Sequence, residues 1–203
     1  MPITQTFADG TTFTSTALEL DELGGMLQDV LANLLGVNVA TDADAYSKVR
    51  LAWKDQPAPV FGIDSVTIQL TEADDHYAIR RERRLAQRND TTLDATYHST
   101  RVWSIRLIFY GPNSYRRAHM MRTALRLPTV HDALAASNVY LVPAIPAPVR
   151  SPELISAQWW DRSDLALTAY EGVADTVTVA AMASAEVLVY DETGLQADIQ
   201  ASA

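Results

Sequence analysis

The chain has 203 residues, of which 48% are hydrophobic and 20% charged, and it contains no cysteine. These proportions are those of an ordinary soluble globular protein. Without cysteine there is no disulfide, thiolate nucleophile or cysteine-based zinc site, which agrees with synthesis in a reducing cytoplasm. The first 20 residues lack the basic start and apolar run of a secretory signal. No apolar run approaches the roughly 18 residues of a membrane helix, so the sequence predicts a soluble protein without a membrane partner.

The net charge of −9 is distributed unevenly along the chain. Residues 76–126 contain eleven arginines against three acidic residues, a net charge of +8, so the other residues together carry −17. One interpretation is that surface charges simply cluster. The other is that an acidic and a basic surface meet between copies of the chain, because complementary patches orient association.

The first predicted helix follows a threonine-rich stretch, residues 1–13, which lacks periodicity and is expected to form a loose arm. Thr16 followed three residues later by Glu19 is typical of a capping box and predicts the helix start, and Gly36 predicts its end. The Gly24–Gly25 pair inside the helix reflects either close packing or simple tolerance. Between these signals, apolar residues recur at helical spacing: Leu20, Leu23, Leu27, Val30, Leu31 and Leu34.

Two short strands are predicted next, over residues 49–53 and 66–70. Residues 71–95 then carry several arginines and few large apolar side chains. Because such a segment cannot bury itself, we predict that it projects from the body as a long arm or an extended β-hairpin. A helix over residues 77–87 is the competing local interpretation.

The middle of the chain, residues 96–127, predicts one long strand, a tight corner at Gly111–Pro112 and an amphipathic helix. Pro112 suits the first turn of that helix, where a missing N–H costs nothing. On the helix, Tyr115, Ala118, Met121 and Leu125 are expected to share the buried stripe. Alternate strand residues are expected to form the inward face: Tyr97, Ser99, Arg101, Trp103, Ile105, Leu107 and Phe109. This unit is a scaffold with no evident reactive group.

The C-terminal part predicts a short helix over residues 130–137, a strand over 139–142 and a proline-stiffened surface segment over 144–150. Residues 155–160 are expected to re-enter the sheet. Gly172 lies between two alternating apolar segments, which predicts a meander of three strands completed near Val187 and Val189.

Together these elements predict a single α+β domain over residues 1–203. Its sheet is mainly antiparallel, and its two main helices pack on one face. Residues 71–95 form the projecting arm, and residues 194–203 form a frayed C-terminal tail.

Catalytic and metal-binding patterns are weak in this sequence. The four histidines show no metal-binding pair spacing, and neither a dinucleotide-binding glycine motif nor a phosphate-binding loop occurs. Adjacent side chains such as Asp74, Asp75 and His76 rarely converge on one ion, so a solvated turn is the favoured interpretation. Arg162 is expected to pair with Asp161 or Asp164 rather than leave two carboxylates for catalysis. We therefore predict no enzyme, cofactor or metal.

The arginine cluster is the one candidate site, and we predict that it contacts a partner. A basic patch without interleaved aromatic residues is a poor nucleic-acid reader. The sequence pI of about 4.8 also argues against a free DNA-binding protein. Docking on an acidic neighbour is the favoured use, with non-specific contact to DNA in an enclosed channel as the alternative. The cluster comprises Arg80, Arg81, Arg83, Arg84 and Arg88.

Five short phrases of the sequence form a recognisable pattern: VRLAW at 49–53, QPAP at 56–59, IFYGP at 108–112, RSPEL at 150–154 and WWDR at 159–162. Together they resemble the neck or tail terminator proteins of tailed bacteriophages, over residues 46–190. The arginine-rich segment and the acidic tail have no counterpart in that pattern.

The resemblance implies an α+β structural subunit that forms a ring, commonly of six copies, in the neck or tail of the virion. Such a ring caps the tail tube and joins it to the head connector, so the implied partners are copies of itself, the tail tube protein and the connector proteins. The subunit would be made in the host cytoplasm, and the family has no catalytic residues to transfer. The alternatives are another virion subunit, of the tail tube or baseplate, and a small α+β enzyme or binding domain.

Overall fold

The computed structural model describes residues 2–8, 10–37, 48–53, 62–74, 76, 81–89, 92–180, 184–191 and 194–202. The chain divides into two compact units. Unit 1 comprises Met1–Ala17, Arg81–Ser99 and Val173–Ala203. Unit 2 comprises Leu18–Arg80 and Thr100–Gly172. The single domain predicted for residues 1–203 stays a prediction.

The described residues form three helices and thirteen strands. The helices are α1 (Leu20–Leu34), α2 (Ser114–Ala124) and α3 (Pro128–Ala135). The strands are β1 (Ile3–Thr6), β2 (Thr12–Ser15), β3 (Val49–Leu51), β4 (Ser65–Ala73), β5 (Glu82–Asn89), β6 (Thr92–Tyr110), β7 (Val139–Leu141), β8 (Val149–Arg150), β9 (Glu153–Ile155), β10 (Gln158–Trp160), β11 (Arg162–Ala180), β12 (Ser184–Asp191) and β13 (Gly194–Ser202).

The main sheet has the strand order β1-β2-β11-β6-β4-β3, with β5 also paired to β6, and β7 and β8 paired to β11. Its pairs are antiparallel wherever the register is described, except for the parallel pair β3–β4. Two further hairpins, β9–β10 and β12–β13, form separate two-stranded sheets. The predicted α+β class with a mainly antiparallel sheet is therefore confirmed.

The hydrophobic core of unit 2 forms where α1 packs against β3, β4 and α3. The predicted inward face of the central strand is confirmed at its apolar end, because alternate residues of β6 are buried there. The helical spacing of the leucines in α1 likewise produces a buried stripe. The largest contributors are Leu23, Leu27 and Leu31 of α1 and Trp103, Ile105, Leu107 and Phe109 of β6, each no more than 2% exposed.

The start of α1 differs from the prediction. The helix begins at Leu20 with Glu19 as its N-cap, and the Glu22 carboxylate accepts a hydrogen bond from the Glu19 backbone N–H at 3.3 Å. The capping box therefore runs from Glu19 to Glu22 rather than from Thr16 to Glu19. Thr16 lies in unit 1, where its hydroxyl accepts a hydrogen bond from the Ala174 N–H at 2.8 Å.

The two glycines inside α1 have different explanations. A Cβ at Gly24 would lie 3.0 Å from the Trp53 ring and 3.1 Å from Leu51, so this glycine permits close packing of the helix on the strand. A Cβ at Gly25 would meet nothing within 4 Å, so that position is merely tolerated.

The corner between β6 and α2 is built around Asp64. Gly111 has a φ of +107°, and a Cβ there would lie 2.6 Å from Asp64 Oδ1, so only glycine fits. The Asp64 carboxylate accepts hydrogen bonds from the backbone and side-chain N–H groups of Asn113, both at 2.9 Å. This interaction holds the chain outside the helix until Ser114, so Pro112 precedes α2 instead of lying in its first turn.

The buried stripe of α2 contains Ser114 in place of the predicted Tyr115. Ser114 is 3% exposed, whereas Tyr115 is 49% exposed. A rotation of about 100° per residue places position 114 in line with Ala118, Met121 and Leu125, and position 115 outside that line.

Two predictions for the C-terminal part were wrong. Residues 155–160 do not re-enter the main sheet, because β9 and β10 pair only with each other. The predicted turn at Gly172 is absent, since β11 continues through it as one 19-residue strand. Gly172 does not adopt a positive φ, and its N–H donates to the Asn138 carbonyl oxygen at 3.0 Å.

The described residues of unit 1 form three hairpins. Residues 3–6 pair with residues 12–15, and Phe7, Gly10 and Thr11 form backbone hydrogen bonds in the turn, so most of the stretch predicted as a loose arm over residues 1–13 is hydrogen-bonded. β5 pairs with the first part of β6, which agrees with a hairpin and excludes the competing helix over residues 82–87. β12 pairs with β13, so residues 194–202, predicted to fray, form a strand.

Candidate assembly surfaces

Three members of the predicted arginine cluster lie on β5 in unit 1: Arg83, Arg84 and Arg88. Arg81 immediately precedes that strand, and Arg80 is outside the described residues. Arg83 lies opposite Tyr97 in the β5–β6 register, and Arg84 lies opposite Thr96. The structure thus places three of the five predicted residues on one strand and a fourth, Arg81, immediately before it. All four side chains are exposed: Arg81, Arg83, Arg84 and Arg88.

Three of these arginines have local partners within unit 1. Arg84 pairs with Glu82 at 3.1 Å, and the Arg83 guanidinium lies 5.8 Å from the Tyr97 ring centroid. Arg88 donates to the Thr178 hydroxyl at 2.8 Å and lies 3.5 Å from Asp94. Exposed ion pairs contribute only about 0–1 kcal/mol, so the guanidinium groups remain available to a partner. Contact with a partner stays a prediction.

A second surface, in unit 2, was missed by the sequence analysis. The β9–β10 hairpin places Leu154 directly opposite Trp159, and these side chains are 57% and 69% exposed. Its turn residues Ser156 and Ala157 have φ values of +49° and +64°. A two-residue hairpin turn requires positive φ, and neither residue type favours it, so the surrounding structure must impose this conformation.

The base of this hairpin is fixed by charged and aromatic contacts. Arg162 pairs with Glu153 at 2.9 Å and with Asp164 at 2.8 Å, which confirms the predicted pairing within residues 161–164. Tyr110 donates to Glu153 at 3.0 Å, and its ring meets the Trp160 ring edge-on at 5.9 Å. Burial and this hydrogen bond raise the pKa of Tyr110 to about 12. The hairpin is therefore a fixed element that presents two apolar side chains to solvent.

The adjacent Trp159–Trp160 pair was the only sequence signal for this hairpin. Alternation along a strand places one ring inward and the next outward. Trp160 is accordingly packed against Tyr110, whereas Trp159 is exposed.

Concave surfaces surround the corner between β6 and α2. A cavity of about 240 Å³ lies between Trp159, Trp160 and Gly111. A second of about 450 Å³ includes Tyr115 and Arg150, and a third of about 350 Å³ lies between the C-terminal end of α1 and α2. These cavities flank Pro112 and Asn113, so the corner is bordered by sites where a protein partner can insert side chains.

Unit 2 also contains a buried carboxylate that could be mistaken for a catalytic group. Glu171 is 1% exposed and accepts hydrogen bonds from the Leu18 N–H at 2.6 Å and the Trp103 indole N–H at 2.7 Å. It also lies 3.4 Å from the Arg101 guanidinium. Burial lowers the pKa of Arg101, but hydrogen bonding to Glu72 and the charge of Glu171 outweigh this effect, so the pKa is raised. These contacts join the segment before α1 to β6, which is a structural role.

The described residues contain no cluster of three or more histidine, aspartate or glutamate side chains able to hold a metal ion. Asp75, one of the three residues weighed as ligands, lies outside the described part of the chain. None of the described helices is long and apolar enough to cross a membrane.

The fold and these surfaces define an α+β protein with exposed charged and aromatic groups suited to protein–protein contact. The family described as phage neck terminator protein matches residues 21–193, and the chain belongs to that family. The resemblance noted in the sequence is thereby confirmed. No curated protein matches the chain. The protein is thus a structural component of the phage neck, a part of the virion that interacts with other virion proteins.

Proposed function

We propose that this neck protein is the subunit of a closed ring of six copies that caps the tail tube and joins it to the head connector. The observation that carries the proposal is the family match over residues 21–193. Synthesis in the host cytoplasm and incorporation during virion assembly belong to the same proposal.

Two structural features support a role in assembly. A ring requires head-to-tail contacts between different surfaces of identical subunits. The uneven charge of the chain supplies surfaces of opposite sign for such contacts. The exposed Trp159, beside Leu154 on a fixed hairpin, supplies an aromatic anchor, and tryptophan is one of the residue types that dominate binding energy at interfaces.

The proposed partners are copies of the chain, the tail tube protein and the connector proteins. The exposed arginines of β5 are assigned to an acidic neighbour or to the backbone of DNA passing through the ring, because phosphate contacts need positive charge without a defined sequence.

The test is to remove the gene from the phage and to examine the resulting particles by negative-stain electron microscopy. We expect heads and tails that remain unjoined or tails of irregular length, and complementation with the intact gene should restore joined virions. Image reconstruction of restored virions should place a six-fold ring of this protein in the neck. Complete, infectious virions that lack the protein would contradict the proposal.

A further inference from the structure

Helices α1 and α2 of unit 2 carry charges of opposite sign. Residues 18–37 include four acidic residues and no basic residue: Glu19, Asp21, Glu22 and Asp29. Residues 112–127 include four arginines and no acidic residue: Arg116, Arg117, Arg122 and Arg126. The two segments therefore form a complementary pair of surfaces.

Two of the four arginines around α2 stabilise the fold. Arg117 pairs with Asp64 at 3.4 Å, and Arg122 donates to the Ile145 carbonyl oxygen at 3.0 Å. Arg116 and Arg126 are exposed and make no ion pair with the described residues. Their charges are therefore available to another molecule.

The position of Arg116 is also electrostatically unfavourable for a cation. It lies in the first turn of α2, which contains no acidic residue. The N-terminal end of a helix is positive and disfavours a cation. Its neighbour Arg117 is compensated by Asp64, whereas no described contact compensates Arg116. A residue that breaks a local rule without an internal gain is expected at a functional surface.

The surface around Arg116 has the composition of an interface. Arg116 borders the cavity of about 350 Å³, whose apolar lining includes Leu34, Leu35 and Met120. Met120 is 61% exposed and Tyr115 49% exposed. Tyrosine, methionine and arginine are the residue types enriched where proteins meet. We call this surface the α2 cleft.

The acidic end of α1 has the matching chemistry. Glu19, Asp21 and Glu22 surround Leu20, an exposed apolar side chain at 39% exposure. This acidic turn lies at the opposite end of α1 from the cleft, because the 13 residues from Glu22 to Leu35 span about 20 Å of helix. The acidic turn of one copy therefore cannot fill the cleft of the same copy.

We propose that the α2 cleft of one copy binds the acidic first turn of α1 from a second copy. Leu20 contacts the apolar lining near Met120, and the carboxylates face Arg116. Because the two surfaces differ, the contact is head-to-tail and repeats from copy to copy. The inference rests on the proposed ring and specifies which surfaces join neighbouring subunits.

Cysteine cross-linking in assembled particles tests this contact directly, since the natural chain contains no cysteine. Particles are assembled with the Leu20→Cys/Met120→Cys variant and mildly oxidised. A disulfide forms only where the two Cα atoms lie within about 7 Å. We expect a ladder of covalent oligomers beyond the dimer, whereas the two single-cysteine variants should give none.

Charge reversal supplies a second readout that separates assembly from folding. Arg116→Glu places an anion at the positive end of α2, so the melting temperature should stay unchanged or rise. Incorporation into particles should nevertheless fall by about tenfold or more, because like charges then face each other. The matched control Arg126→Glu makes the same charge change outside the cleft and should incorporate normally. Mixing Arg116→Glu with Asp21→Arg subunits should restore incorporation, since the new carboxylate at position 116 then faces the new guanidinium at position 21, and the unaltered Arg116 of the second subunit faces the unaltered Asp21 of the first.

Three results would overturn the inference. Particles that contain the double-cysteine variant but yield no ladder would exclude this contact and leave the proposed function intact. Equal losses for Arg116→Glu and Arg126→Glu would show an effect of net charge alone. Absence of the unaltered chain from virions would remove the proposed function and this contact together.

Discussion

At the scale of single residues, Glu171 is the side chain whose surroundings are most specific. Its two oxygens accept separate hydrogen bonds from the N–H groups of Leu18 and Trp103, so replacement with Gln places an NH2 group against one of these donors and removes the counter-charge of Arg101. Leaving a buried group unpaired costs about 1–3 kcal/mol, and Glu171→Ala should cost about 3–5 kcal/mol because it breaks a buried ion pair. Urea denaturation of the two variants measures these losses.

Glu72 provides the control for this prediction. It also binds Arg101, at 3.0 Å, but its side chain is 52% exposed. Glu72→Gln should therefore change the free energy of unfolding by only about 0–1 kcal/mol. Equal losses of unfolding free energy for Glu72→Gln and Glu171→Gln would show that the burial of Glu171 does not increase its contribution to stability.

Tyr110 predicts a pH dependence. Burial and the hydrogen bond to Glu153 raise its pKa from 10.0 to about 12. The folded state thus favours the neutral phenol, and this contribution to stability is fully present below pH 10 and is lost as the pH rises through about 12. Ultraviolet titration of the folded protein should show one of the eight tyrosines ionising near pH 12.

The same titration of Tyr110→Phe should lack that late step, whereas Tyr140→Phe, which alters an exposed ring, should retain it. Circular dichroism at each pH establishes that the protein is still folded. A late step that persists in Tyr110→Phe would assign the raised pKa to another tyrosine.

At the scale of elements, the sequence predicts correctly those helices and strands in which a single apolar period determines both the type of element and its buried face. The leucines of α1 and the alternating residues of β6 are such cases. The sequence does not predict the start of a helix or the pairing of a strand where a residue distant in the chain determines it. Asp64 sets the start of α2, and contacts of Glu153 and Trp160 separate the β9–β10 hairpin from the main sheet.

Gly172 illustrates the same limit. A glycine between two alternating segments is compatible with both a turn and a continuous strand. The structure contains the strand, with the buried Glu171 immediately before the glycine and the buried Val173 immediately after it. Of the candidate site, the sequence located the arginines, but it could not indicate that Leu154 and Trp159 share an exposed face.

The buried half of β6 gives a prediction for the element as a whole. Phe109 is 0% exposed in the core of unit 2, and truncating a buried Phe to Ala costs about 3–5 kcal/mol. A domain is held together by only about 5–15 kcal/mol, so Phe109→Ala should melt at a much lower temperature or be insoluble. Ser99→Ala, on the same strand but only partly buried, should melt like the natural protein. An unchanged melt for Phe109→Ala would contradict the placement of the core.

At the scale of the whole molecule, the distribution of charge connects the fold to assembly. The cores of the subunit use apolar side chains from α1, β6 and α2, which leaves the charged side chains of the same elements at the surface. An acidic and a basic surface on identical subunits favour oriented association of the copies with each other or with another virion protein.

The arginines of β5 allow this idea to be tested apart from the helices. Arg83→Ser/Arg84→Ser removes two exposed charges, and the subunit should fold with a nearly unchanged melting temperature because exposed pairs contribute only about 0–1 kcal/mol each. Incorporation into virions should weaken, and the remaining binding should be less sensitive to salt because fewer charged contacts are left to be screened. The control Arg106→Ser/Arg126→Ser removes the same charge from exposed positions in unit 2. Equal incorporation of the two variants would show that net charge matters and the position on β5 does not, whereas an unfolded Arg83→Ser/Arg84→Ser subunit would show that these side chains stabilise the fold.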